Sequence, residues 1–289
     1  MMENLLEEYN EKIKEKDVII ENLRNKLEVT EQKLNELNRN LEQRIIERTV
    51  EVNRLLKNKT RFIDNLSHDL GTPITPLVTL LPLIKEEMTD PRTKEILDTC
   101  IRNAEYLRLV VMNTRKLAEI SSLDFILEKE NLYDMVNELN KKYETIFNTC
   151  NIKVKNIISE DTYVKTYKAR LMELFDQLAS NAVNSMPDGG TLTFESKRIQ
   201  RNNETFIQIS VSDTGVGLTR EHTDRLFDEF YKVDSSRHKL DSTGLGLTIC
   251  KNIVEKHGGK IWADSHGPGT GTAIHFTLPP PESIHTRTF

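Results

Sequence analysis

The sequence predicts an α plus α/β protein: a helical hairpin that pairs with a second copy as a four-helix bundle, followed by a two-layer α/β sandwich. Three observations carry this. Apolar residues at helical and heptad spacing fill the first 120 or so positions, and residues 1–60 hold neither Pro nor Gly. From Leu123 onward short alternating runs sit between amphipathic helices without repeating βαβ units, which argues a sandwich with an antiparallel-rich sheet. At 289 residues the chain exceeds one ordinary core and suits two domains plus an extension. The divisions fall at 1–60, 61–121, 122–280 and a tail at 281–289.

In the first segment Ile13, Ile20, Leu27, Leu34 and Leu41 recur every seven residues, with Leu23 and Leu37 at companion positions. Polar Lys16, Thr30 and Arg44 weaken this seam. After Leu41 it jumps four residues to Ile45 and continues through Val52, Leu56, Ile63 and Leu66, a stutter that locally unwinds a parallel two-stranded coil. The next helix carries a core stripe of Ile63, Leu66, Leu70, Ile74, Leu77, Leu81 and Ile84, continuous through Pro73 and Pro76. Those prolines have no N–H for the carbonyls of Asp69 and Thr72, so the helix should bend there without ending. Thr89-Asp90-Pro91 starts a second helix to about Ser121, with Leu97, Cys100, Ile101, Ala104, Leu107, Val111, Thr114 and Ala118 inward. Two antiparallel helices bury too little alone, so the hairpin implies a homodimer.

The second domain reads as a helix at Leu132–Asn148, strands at Ile152–Ile157 and Tyr163–Thr166, and a helix at Lys168–Met186. A hairpin, Thr191–Ile199 with Thr205–Ser212, turns at Arg201-Asn202-Asn203. A helix at Leu245–His257 and strands at Lys260–Asp264 and Thr272–Leu278 close it, and Pro279-Pro280-Pro281 ends the last strand.

A net charge of −5 gives no basic footprint for nucleic acid. Cys100, Cys150 and Cys250 are odd in number, widely spaced and set in amphipathic segments, which suits small buried residues in a reducing compartment. No apolar run nears the ~18 residues that cross a bilayer. The expected setting is the cytoplasm, for the chain itself or as the cytoplasmic portion of something longer and membrane-bound.

Two stretches carry chemistry. His68, Thr72, Thr75 and Thr79 step along one polar helix face. A solvent-facing neutral imidazole there offers a ring-nitrogen lone pair for nucleophilic work. The second domain holds four boxes in order. Glu173, Gln177 and Asn181 lie one turn apart, and Asn181 offers an amide oxygen suited to Mg²⁺. Asp213-Thr-Gly-Val-Gly-Leu218 offers an acceptor for an exocyclic amine and glycines that admit a flat base. Leu226-Phe-Asp-Glu-Phe-Tyr231 is an apolar patch that could anchor a mobile cover. Thr243-Gly-Leu-Gly-Leu-Thr248 precedes a helix, whose free N–H groups favour phosphate. Gly267, Gly269 and Gly271 form a further loop.

Ser67-His-Asp-Leu-Gly-Thr-Pro-Ile74 resembles the phosphoacceptor box of sensor histidine kinases, usually Ser-His-Glu-Leu-Arg-Thr-Pro-Leu. The four boxes resemble the ATP-binding domain that those kinases share with type II topoisomerases, heat-shock-90 chaperones and mismatch-repair ATPases, the Bergerat fold, over about Asn131 to Pro279. The resemblance implies Mg²⁺ on Asn181, adenine on Asp213 with Gly215 and Gly217 lining its pocket, and phosphates at Gly244 and Gly246. The nucleotide-contacting set it implies also takes in Gln177, Asn184, Tyr231, Lys232, Thr243, Leu245, Leu247 and Thr272, with Lys232 to Ser242, including Arg237, His238 and Lys239, as an ATP lid. The chain departs from the family at Gln177 (usually Asn), Asn184 (usually Lys) and Gly71 (usually Arg).

By the same resemblance His68 takes the γ-phosphate of Mg-ATP, Asp69 fixes its tautomer, and Thr72 orients water when a partner's phospho-aspartate is hydrolysed. The implied partners are a second copy, the receiver domain of a response regulator docking along Thr75–Thr79, and an upstream sensor domain or receptor. Two rivals are an ATP hydrolase or clamp using Glu173 as base, and a non-catalytic or phosphatase-dominant dimeric scaffold.

Overall fold

The computed structural model describes residues 2–122, 125–201, 204–233 and 243–281. Leu123, the hairpin tip Asn202–Asn203, the proposed lid residues Arg237, His238 and Lys239, and the tail beyond Pro281 lie outside them. Two compact units divide at Asn58. In the first, residues of the predicted seam from Ile20 to Leu41 are exposed in the single chain. Side chains before position 16, Ile13 among them, are outside the description.

A first helix, α1, spans Met2–Glu87 and keeps helical assignment through Pro73, Pro76 and Pro82. A short turn leads to α2, Pro91–Ser122. Asp90 starts α2: its carboxylate accepts from the Thr93 N–H at 2.9 Å and the Thr93 hydroxyl at 2.6 Å, which hold its pKa below the ordinary value. Lys85 and Asp98, 2.6 Å apart, tie the two helices near this turn.

Within the single hairpin the predicted core stripe is mostly unburied. Ile74 and Ala104 are enclosed, whereas Leu66, Leu70, Leu77, Ile84 and Leu107 stay exposed. That is the surface a four-helix bundle would cover. Cys100 is exposed on α2 and Cys150 partly so, which corrects the expectation of three buried thiols; Cys250 alone is enclosed, and burial pushes its thiol well up.

The sandwich begins with β1 (Glu128–Asn131), which alternation did not reveal because its four residues are all polar or charged. Then follow α3 (Leu132–Thr149), β2 (Ile152–Asn156), β3 (Tyr163–Thr166), α4 (Lys168–Ser185), β4 (Gly190–Arg201), β5 (Glu204–Asp213), α5 (Arg220–Arg225), α6 (Gly246–Lys256), β6 (Ile261–Asp264) and β7 (Thr272–Leu278). The main sheet runs β2-β4-β5-β7-β6; β2 and β4 are parallel and the other pairs antiparallel. β1 and β3 make a separate antiparallel ribbon. The β4–β5 hairpin extends past the predicted ends, so Arg201 is paired with Glu204 and not part of the loop.

One face of the sheet carries the core. The apolar stripe of α4 (Leu171, Leu174, Phe175, Leu178, Ala179, Ala182) meets inward residues of β4, β5 and β7, because strand alternation and helix periodicity each present one apolar side. Phe175 stands edge-on to Phe194 and Phe276, with centroids 6.0 and 6.2 Å apart. His257 closes the end of α6: its Nδ1 donates to the Ile253 carbonyl at 2.7 Å and its Nε2 accepts from the Tyr167 N–H at 3.0 Å. Burial lowers its pKa, consistent with a neutral ring, and Phe125, just after α2, packs on it at 5.1 Å. The chain leaving the stem is thus anchored to the lobe by an aromatic contact.

Phe175→Ala should cost about 3–5 kcal/mol, since a fully enclosed ring between two strands leaves a cavity that the sheet cannot collapse into. Chemical denaturation of the variant and parent chains measures it.

Candidate functional site

The sequence-derived residues fall in two places. On α1 the His68 ring is 81% exposed, and its Nδ1 lies 3.3 Å from Asp69 Oδ1. With Nδ1–H donating to that carboxylate, the Nε2 lone pair points to solvent. The pair is open to water, so it orients the ring more than it stabilises the fold. Thr72, Thr75 and Thr79 donate to the carbonyls of His68, Gly71 and Thr75 at 2.9, 2.8 and 3.0 Å. These bonds run alongside the positions where Pro73 and Pro76 withdraw amides from the helix.

The second place is the pocket end of the sandwich. Asp213 ends β5, and its carboxylate accepts the Gly215 N–H at 2.8 Å. Burial raises its pKa, with the amides of Gly215 and Thr272 and the Ser185 hydroxyl opposing. The loop after it is held by the loop after β6: Gly269 donates to the Val216 carbonyl at 2.6 Å and Gly271 to that of Gly215 at 3.0 Å. A Cβ on Gly217 would run into the Gly267 carbonyl, and one on Gly271 into that of Asp213; both residues also have positive φ. Ser265 braces the two loops, accepting from the Leu218 N–H at 2.9 Å and donating to the Gly271 carbonyl at 2.7 Å. Sequence reasoning named the glycines but missed Ser185 and Ser265, whose small hydroxyls carry no motif of their own.

At the far side α6 begins at Gly246, with Leu245 as its N-terminal flank and no side-chain cap on its amides. A Cβ at Gly246 would lie 2.5 Å from Gln177 Oε1, so the α4 row packs directly behind this helix start. Thr243 and Leu245 are buried, whereas Gly244, Gly246 and Leu247 are partly open. The implied contact at Leu245 is therefore one of backbone, not side chain. Asn181 and Asn184 are exposed on α4. No group of three or more His, Cys, Asp or Glu suited to a metal occurs among the described residues. One amide oxygen fits Mg²⁺ when phosphates and water supply the other ligands.

The Tyr231 backbone lies against Gly244, while the side chains of Tyr231 and Lys232 are engaged by other groups. The Tyr231 hydroxyl meets His222 Nδ1 at 2.6 Å, Arg225 lies 4.5 Å from its ring centre, and the Lys232 ammonium sits 4.9 Å from the Tyr106 ring. His222 and Arg225 belong to α5, which the sequence reading passed over. Glu173 is largely buried and paired, with Lys116 at 2.9 Å and Arg170 at 2.7 Å. Burial alone would raise its pKa; the two cations outweigh it and hold the carboxyl low. It is engaged structurally, which counts against a role as a free base. Among the described residues no hydrogen bond or ion pair joins the His68 ring to the pocket.

Asp213→Asn should raise the melting temperature of the nucleotide-free chain at pH 7–8. The buried carboxylate has its pKa raised on folding, so its ionised form costs stability at neutral pH. The variant's advantage should shrink as pH falls toward the ordinary carboxylate range. Thermal melts across that range check the sign.

Comparison with known proteins bears on both places. The family model of the His Kinase A (phospho-acceptor) domain matches residues 58–123, and that of the histidine kinase-, DNA gyrase B- and HSP90-like ATPase matches 166–282. The chain is 32% identical over 241 residues to the sensor histidine kinase WalK of Bacillus subtilis, covering 81% of this chain and 39% of WalK. It therefore spans about two fifths of that relative's length. Full-length ShkA in complex with AMPPNP shares the fold at 18% identity and a TM-score of 0.59, covering 76% of this chain and 46% of that one. Histidine kinase ThkA in complex with the response regulator protein TrrA does so at 20% identity and 0.57, covering 81% and 67%. A phosphoacceptor match that contains the exposed imidazole, followed by an ATPase match over the glycine-framed lobe, places the chain in the sensor histidine kinase family of two-component signalling.

Proposed function

We propose that this chain is an ATP-dependent protein-histidine kinase that phosphorylates its own His68 and passes the phosphoryl group to an aspartate of a response regulator. The observation that carries the reading is an exposed imidazole with Nδ1 on Asp69, on the same polypeptide as a helix start whose amides lack a side-chain cap. Asp213 accepts the adenine amine between the braced loops of Gly215 and Gly217, with Thr272 beside it. The amides around Gly244 and Gly246 take the phosphates. Gln177, Asn184, Thr243, Leu245, Leu247, Tyr231 and Lys232 complete the surround, and Asn181 holds Mg²⁺, which would neutralise charge on the transferring phosphates.

In the transfer, His68 Nε2 forms a bond to the γ-phosphorus as the bond from that phosphorus to the β–γ bridging oxygen breaks, and ADP leaves. The proton stays on Nδ1, hydrogen-bonded to the Asp69 carboxylate, whose negative charge stabilises the cationic ring as it forms. Thr72, one turn below, orients water when the partner's phospho-aspartate is hydrolysed. The division proposed is coiled-coil signalling helix at 1–60, dimerisation and phosphotransfer stem at 61–121, ATP-binding lobe at 122–280 and tail at 281–289. Signals enter as a rotation or register change of the coil from an upstream sensor, the regulator's receiver domain docks along Thr75–Thr79, and the chain works as a cytoplasmic homodimer, without nucleic acid. No helix among the described residues is long and apolar enough to cross a membrane. The structural neighbours crystallised with AMPPNP and with a response regulator support the nucleotide and the partner class.

Incubation with γ-labelled ATP and Mg²⁺ should give acid-labile label on the parent chain. His68→Gln should lose it entirely while still binding nucleotide, and Asn181→Ala should lose it through the metal. Label retained by His68→Gln would overturn the acceptor assignment.

A further inference from the structure

The stem touches the nucleotide lobe through one side of α2. Tyr106 lies under Lys232, Asn113 Nδ2 donates to Thr243 Oγ1 at 2.8 Å, and Lys116 pairs with Glu173 at 2.9 Å. On the lobe these contacts reach the backbone entering the last glycine box and the α4 row that ends in Asn181, two turns beyond Glu173. Of the three, the Asn113 bond is the most directly placed. Thr243 is only 5% exposed, and its oxygen also receives the Leu245 N–H at 3.3 Å. Next to it Gly244, at φ +71, packs so closely on the Phe230 backbone that a Cβ would lie 2.7 Å from its carbonyl carbon. The turn leading into α6 is therefore fixed on one side by Phe230 and on the other by an amide belonging to the stem.

We infer that Asn113 is a positioning residue for the phosphate-binding turn, acting through Thr243 from outside the nucleotide domain. This rests on the kinase reading and deepens it. An amide N–H given to the Thr243 oxygen fills that oxygen's acceptor role, so the Thr243 hydroxyl proton remains to be donated elsewhere, including to a phosphate. Without Asn113 a buried hydroxyl loses its outside partner and the turn loses one of its two anchors. Because the bond joins stem to lobe, nucleotide affinity and the seating of the lobe on α2 are reciprocally linked: each strengthens the other by the same factor.

The test is calorimetric binding of Mg-AMPPNP to the full chain, parent against Asn113→Ala, Asn113→Asp, Thr243→Ala and the Asn113→Ala/Thr243→Ala pair. One neutral hydrogen bond corresponds to about a fivefold change, so Asn113→Ala should weaken binding roughly three- to tenfold. Asn113→Asp matches the native shape but draws the Thr243 proton onto itself, and should weaken binding at least as much. On a Thr243→Ala background Asn113→Ala should add nothing, the signature of two residues acting through one bond. In labelling assays the effect should fall on the ATP concentration giving half-maximal rate more than on the saturated rate, which simple unfolding would not do. Unchanged or tighter binding in both Asn113 variants, or additive effects in the pair, would overturn the inference while leaving the kinase reading intact. A parent chain that failed to bind AMPPNP would overturn both, and that outcome is distinct.

Discussion

The end of the sandwich at Asp213 is framed by two backbone loops that approach more closely than side chains permit. Gly217 and Gly271 have no room for a Cβ against the Gly267 and Asp213 carbonyls, and the loops exchange the Gly269–Val216 and Gly271–Gly215 hydrogen bonds across that gap. This contact fixes where β5 ends and how Asp213 is aimed. It also explains why a carboxylate can be kept there at all. Burial works against its charge, and the amides of Gly215 and Thr272 with the Ser185 hydroxyl return part of what water would have given. The sheet register places Asp213 opposite Thr272, so the fold of the lobe and the chemistry of the pocket are specified by the same few atoms.

The stem follows a different logic. Its apolar residues are exposed in the single chain, its polar row carries His68 in the open, and its prolines leave carbonyls without helical partners. A surface of that kind gains order by association, which fits a role in which the helix must be read and moved. The lobe is held against α2 by an apolar contact, with Ile120 enclosed in the lobe's core and Leu117 packed on it, and by polar ones: Asn113 on Thr243, and the chain of charges Asp64, Arg115, Glu119, Arg170, Glu173 and Lys116. The polar contacts are screened by salt where exposed, whereas the apolar one at the C-terminal end of α2 is not.

Much of this was legible in the sequence, for identifiable reasons. The glycine boxes, the His68 row and the α4 row are local patterns whose spacing states their geometry: the Gly215–Gly217 and Gly267–Gly271 glycines lie on one loop pair, the Gly244–Gly246 box at the start of α6, and the two rows on helices. β1 was hidden because a short polar ribbon shows no alternation. α5 is hidden because its six polar and charged residues carry no apolar stripe. Arg201 was assigned to the turn because the tip is polar, although register carries the ladder to its end. Asn113 could not have been found at all: its partner lies 130 positions away, and an asparagine on a helix carries no signal until the fold brings Thr243 to it. Long-range polar contacts are what periodicity omits.

The central claim is that one polypeptide pairs a nucleophilic imidazole with a nucleotide lobe, so that phosphate on this protein is held by nitrogen and stays exchangeable with nucleotide. The most direct measurement is a chase. The chain is labelled from γ-labelled ATP, freed of nucleotide, and given Mg-ADP. Label should then leave the protein and reappear as ATP, because the phosphoryl group on an imidazole nitrogen can return along the path by which it came. Label that survives both ADP and acid would mark a phosphate ester on a hydroxyl, and would contradict the account.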